Sequence, residues 1–172
     1  MAELFVTRIS INEDVISDLV DLLNVELANT IRAQQMIKFA HWNVKGDGFF
    51  PAHKLFDKVF ASVLDATDRI GERITALGGI ADGLPDQVAD AASLSDYSAS
   101  GKDNVRTHME AVADVIGELG NNLRKLAGNV NANGTTTPQQ ETAVRDLATQ
   151  NMLLDIVEDF DQHLYFLEAH LR

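Results

Sequence analysis

Apolar residues recur at helical spacing along four long stretches of this chain, separated by glycine, proline and short polar runs. Ile16, Leu19, Leu23, Leu27 and Ile31 mark one face of a first helix over about 13–41, with Asn12 placed to cap it and Gly46 and Gly48 beyond its end. Pro51 suits the opening turn of a second helix over about 51–78, whose stripe is Phe56, Val59, Val63, Ile70, Ile74 and Leu77 and which stops at Gly78-Gly79. Pro85-Asp86 opens a short helix over about 86–92. Val105, Met109, Val112, Ile116, Leu119, Leu123 and Leu126 alternate by four and three through a helix over about 103–127. An Asn/Gly/Thr-rich run then leads to Thr137-Pro138-Gln139-Gln140, a capping box that predicts a last helix over about 138–170 through Leu153, Ile156, Phe160, Leu164 and Leu167. Long helices of matched length predict an all-α four-helix bundle in one domain spanning 1–172, with the short helix in a long crossover between the second and third helices.

The second helix carries a second pattern. His53 and Asp57 lie one turn apart, as do Asp68 and Glu72, and the two pairs stand in mirror order about a midpoint between Ser62 and Val63. With His53 at zero on a helical wheel, Asp57, Asp68 and Glu72 fall at roughly 40°, 60° and 100°, whereas the apolar stripe falls at roughly 240–300°. The polar face therefore points away from the chain's own core. Asp57 and Asp68 are roughly 16 Å apart along the axis, too far to share an ion. If the helix packs antiparallel on a symmetry copy of itself, His53 meets Glu72 of the copy and Asp57 meets Asp68, giving two identical His/Asp/Asp/Glu clusters. Ala61 and Leu64 on the same face offer such a copy something small and apolar to pack on. An ordinary di-iron bundle would instead aim Glu-x-x-His motifs inward, and the chain contains none. Taken singly, each pair is also what a solvated helix surface shows, worth a few tenths of a kcal/mol. His41, near the end of the first helix, has two readings as well: a further ligand, or a histidine that interacts with the helix dipole.

Composition narrows the chemistry. The chain has no cysteine, which removes disulfides and thiolate metal sites. A formal net charge of −12 is the wrong sign for gripping phosphates and the right sign for concentrating divalent cations. No stretch approaches the roughly 20 apolar residues that span a bilayer, and the first residues lack the features of a secretory signal, so a cytoplasmic protein is expected.

His41-Trp42-Asn43-Val44-Lys45-Gly46, followed by His53, Asp57, Asp68, Glu72-Arg73 and Gly78-Gly79, closely resembles the Dps family, the mini-ferritins named as DNA-binding proteins from starved cells. The helical plan resembles that ferritin-like family over nearly the whole chain. The resemblance implies a hollow homo-dodecamer that oxidises Fe(II), preferably with hydrogen peroxide, and stores Fe(III) mineral inside. It implies ferroxidase centres at two-fold interfaces, with His41, His53 and Asp57 from one subunit and Asp68 and Glu72 from its mate. Trp42 would stand beside the iron, where it could intercept radicals, or serve as interface packing. Glu72 is the candidate to bridge two irons, since its two oxygens can span a close metal pair. The same ligand types also admit zinc.

Further expectations follow. Mini-ferritins admit iron through acidic pores, for which Glu141, Asp146 and Asp155 are candidates, whereas His108, His163 and His170 read as structural or exposed. Family members that bind DNA often use a Lys-rich terminal extension, but residues 1–12 hold one Arg and no Lys, so no appreciable DNA binding is expected at physiological salt.

Overall fold

Asn12 starts the first helix as its sequence suggests: its side-chain oxygen accepts hydrogen bonds from the backbone N–H groups of Asp14 (2.9 Å) and Val15 (3.4 Å). Glu13 and Asp14 add negative charge at the positive end of the helix dipole. The structure is a computed structural model and describes residues 4–128 and 146–172. Its helices are α1 (Glu13–Asn43), α2 (Phe49–Ala76), α3 (Pro85–Ala91), α4 (Val105–Gly128) and α5 (Leu147–Ala169). Among the described residues there is no strand, and the fold is an all-α bundle with α3 in the crossover.

Packing follows the apolar stripes. α1 lies against α2 and α4, α5 lies against α4 and α2, and α3 covers part of α1. Leu23, Ile37, Phe56, Ile70, Ile74, Met109, Leu119, Leu123 and Phe160 meet between them with almost no exposure. Burying each such side chain contributes roughly 1.5–3 kcal/mol, so this core supplies most of the driving force.

The corners use glycine where the backbone requires it. Gly48, at φ 78°, caps α2 in the left-handed region. Gly78, at φ 91°, turns the chain after α2, and its carbonyl accepts a hydrogen bond from the Phe5 N–H at 2.7 Å. A Cβ at Gly78 would collide with the Phe5 carbonyl oxygen. Gly78→Ala is therefore expected to cost about 2 kcal/mol, from left-handed backbone strain plus loss of the docked 4–8 segment. A thermal melt would check it, and an unchanged midpoint would contradict it.

Asn29 fastens the crossover to α1. Its side-chain oxygen accepts from the N–H groups of Ser93 (2.8 Å) and Leu94 (3.2 Å), and its amide donates to Glu26 Oε2 (3.2 Å). Burial pushes the Glu26 carboxyl above the usual carboxylate range, against the hydrogen bond from Asn29 and the charge of Lys125. A raised acid holds its proton more tightly in the folded than in the unfolded state, so its stabilising contribution is complete in acid and lost as pH rises through the folded pKa. Glu26→Gln is thus expected to stabilise the protein by about 1 kcal/mol at pH 7, with the gain shrinking toward pH 4. Melts at both pH values test this, and destabilisation at pH 7 would show that the attraction to Lys125 outweighs burial.

The last helix departs from its sequence pattern. It begins at Leu147, with Asp146 in an extended conformation as its N-cap. The side chain of Asp146 accepts from the Ala148 N–H (3.1 Å) and pairs with Arg73, an arrangement incompatible with Asp146 lying inside a helix running from Pro138. The Thr137–Gln140 capping box lies outside the described residues.

Candidate metal centre

The α1–α2 corner gathers three of the candidate ligands. The helix end leaves the His41 carbonyl without an intrahelical partner, and His53 Nδ1, facing it from the start of α2, donates to that carbonyl at 2.9 Å. His41 Nδ1 reaches the His53 carbonyl in return at 3.1 Å. The two rings stack at 3.7 Å between centroids and 23° between planes. Hydrogen placed on both Nδ1 atoms leaves both Nε2 lone pairs bare, the form in which imidazole binds metal. Asp57, one turn beyond His53, sets Oδ1 at 3.1 Å from His41 Nδ1. His41, His53 and Asp57 are the only group among the described residues whose ligand atoms converge closely enough to hold an ion.

Lys38 belongs to this corner as well. Its ammonium lies 3.0 Å from Asp57 Oδ1 and 4.6 Å from the centre of the Phe60 ring. The hydrogen bond from Lys38, helped by the charges of His41, Lys38 and His53 against some desolvation, holds the Asp57 carboxyl below the usual range. A cation thus already stands at the carboxylate, and an arriving metal ion must compete with it. Its sequence signal is faint: Lys38 precedes His41 by three residues, which places both on one helix face.

Asp68 and Glu72 do not join this group within the chain. Both are exposed on α2, beside a shallow groove lined by Leu27, Ile31, Thr67, Gly71 and Ala81. Leu64, on the same face, is 45% exposed, and Trp42 at the end of α1 is 72% exposed. The described protomer therefore presents a His/His/Asp half-site at one end of the α2 face and an Asp/Glu pair toward the other.

The remaining candidates separate. Asp146 is not a surface acid: it is only 6% exposed, caps α5 and pairs with Arg73, which excludes it from lining a pore in the way expected. Asp155 is exposed and meets Arg69 at 3.4 Å, and Glu141 lies outside the described residues. His163 does have a carboxylate near it, Asp159 one turn earlier at 3.9 Å, but among the described residues the group has no third ligand at metal distance. His170 is exposed, and its Nδ1 lies 2.8 Å from the Phe166 carbonyl oxygen. His108 is fully buried and hydrogen-bonded to Tyr97.

Residues 20–172 match the family model of the ferritin-like domain. A "DNA protection during starvation protein" from Agrobacterium fabrum is 30% identical over 156 residues, covering 91% of this chain and 89% of the relative. The chain belongs to the Dps family. The solved Dps structures agree in shape. DpsA14 from Streptomyces coelicolor superposes with a TM-score of 0.86 at 26% identity, over 99% of this chain and 94% of that one. Dps from Microbacterium arborescens, solved "in the high iron form", gives 0.78 at 25% identity over 97% and 99%. Dps membership carries a general iron-binding and protective role, and the His41/His53/Asp57 group provides a candidate metal site consistent with it.

Proposed function

We propose that the protein is a ferroxidase that binds Fe(II), oxidises it preferably with hydrogen peroxide, and stores the ferric product inside a homo-dodecamer in the cytoplasm. The observation that carries this reading is the split donor set on α2: His53 and Asp57 converge with His41, while Asp68 and Glu72 stand exposed in mirror order on the same helix. A two-fold mate would bring His41, His53 and Asp57 of one chain to Asp68 and Glu72 of the other. Two imidazoles and three carboxylates suit Fe(II), continue to hold Fe(III), and leave positions open for water or peroxide. Glu72 is assigned to bridge two irons and Trp42 to stand beside them. Iron supports the reading further through the high-iron Dps of Microbacterium arborescens.

Zinc is the second reading, favoured by the His/His/Asp half-site, which is a usual zinc donor set. DNA binding is not part of the proposal, because −12 per chain opposes phosphate contacts. No described helix is long and apolar enough to cross a membrane.

The deciding experiment loads the protein with Fe(II) without oxygen, adds a small amount of hydrogen peroxide and follows ferric absorbance. Rapid oxidation with soluble product is expected. A rate equal to that in buffer, with zinc in the purified protein by metal analysis, would replace iron with the second reading.

A further inference from the structure

We propose that Tyr97 and His108 form a redox-active pair that fills the electron vacancy left when iron and peroxide react one electron at a time. The inference rests on the iron-oxidising reading of the metal centre, and its test below separates the two. Tyr97 lies in the crossover, and its hydroxyl is 2.9 Å from His108 Nδ1 on α4. His108 is completely buried, and Nε2 has no hydrogen-bond partner among the described residues. In the tautomer with the proton on Nε2, the phenol O–H donates to Nδ1 and the imidazole is the base that faces the phenol. Phe39 packs the pair against α1: its ring stands edge-on to Tyr97 at 5.6 Å and lies 6.3 Å from His108. Phe39 is two residues before His41 on α1, so their side chains leave the helix about 200° apart and the width of α1, roughly 10 Å, separates the pair from the metal corner.

A phenol gives up an electron readily only if its proton leaves at the same time, since the oxidised phenol is a very strong acid. Tyr97 has an acceptor already in place for that proton. Burial pushes its own pKa up, so it does not ionise beforehand, and burial pushes His108 down, which keeps the ring neutral and able to accept. The negative charge of Asp103 favours protonation of that ring and the charge of Lys45 opposes it, both smaller than the effect of burial. Trp42 and Tyr165 lack this provision, being 72% and 59% exposed.

Fe(II) and hydrogen peroxide give Fe(III), hydroxide and a hydroxyl radical. Tyr97 passes one electron to that radical, making a second hydroxide, and its proton moves to His108 Nδ1. A second Fe(II) then reduces the phenoxyl radical, and the proton returns from His108. The sum is two Fe(III) and two hydroxides from one peroxide, with no free radical released.

The chain holds two tyrosines and one tryptophan, so the radical can be assigned by substitution. Freeze-quenched electron paramagnetic resonance would follow two reactions: Fe(II) with peroxide, and metal-free protein oxidised by a photogenerated ruthenium(III) complex. A phenoxyl signal is expected in both, lost in Tyr97→Phe and kept in Tyr165→Phe. His108→Gln retains an acceptor for the phenol but no base, and should weaken the signal at least tenfold. Should that variant fail to fold, Tyr97→Phe alone decides the assignment. A signal unchanged in Tyr97→Phe, or undiminished in folded His108→Gln, would overturn the pair. A Tyr97 radical under light in a protein that does not accelerate iron oxidation would uphold the pair and reject the iron reading instead.

Discussion

Replacing Glu72 by alanine is expected to lower Fe(II) oxidation by more than about 100-fold, because even changes outside the ligand shell of a metal site typically cost 10–100-fold. Glu72 is exposed in the protomer, so its removal costs no packing there, and the helical circular dichroism should not change. Asp68→Ala should behave alike. His53 differs, because its ring also donates to the orphan His41 carbonyl and stacks on His41. His53→Ala should therefore lose activity and also loosen the α1–α2 corner, by about 1 kcal/mol for the lost hydrogen bond. Stopped-flow oxidation kinetics beside thermal melts would separate the two effects, and near-native kinetics in Glu72→Ala would remove that residue from the site.

Asp146→Ala should produce the largest loss of stability, about 3 kcal/mol. The residue is buried, accepts hydrogen bonds from Thr149 and Ala148, and pairs with Arg73, whose Nε also donates to Thr149 Oγ1 at 2.7 Å. Alanine removes the α5 cap and leaves the mostly buried guanidinium of Arg73 without its carboxylate, and breaking one side of such a pair costs about 3–5 kcal/mol. For a chain of this size the melting point should fall by roughly 6–12 °C. Burial alone would raise the Asp146 carboxyl, but hydrogen bonds from Thr149 and Arg73 and the Arg73 charge outweigh it and hold it below the usual range. A depressed acid contributes stability above its unfolded pKa and loses it as pH falls through the folded one. The cost of Asp146→Ala should therefore shrink in acid, while the gain from Glu26→Gln also shrinks there, since the two carboxyls are shifted in opposite directions.

The helices and their inner faces could be read from the sequence because each apolar stripe repeats within one element. The same holds for His53, Asp57, Asp68 and Glu72, whose shared face is a property of α2 alone. What escaped were contacts between residues distant in the chain. Asp146 looked like one more helix acid, since nothing near it in sequence announces Arg73. The Thr137–Gln140 capping box set the expected start of α5 at Pro138, whereas Asp146 is the N-cap of the helix. Lys38 stood one turn from His41 but resembled an ordinary surface lysine, and only the return of α2 sets its ammonium against Asp57. Tyr97 and His108 meet because the crossover folds back onto α4, a path that no periodicity records.

The proposed centre is shared between chains, and co-assembly of two inactive variants tests that most directly. His53→Ala and Glu72→Ala, each inactive alone, would be co-expressed with different tags and the mixed particles purified. If each site takes His53 from one chain and Glu72 from its mate, random pairing leaves about one site in four intact. Fe(II) oxidation should then return to about a quarter of the unsubstituted rate. Mixed particles as inactive as their parents would contradict a site built from two chains.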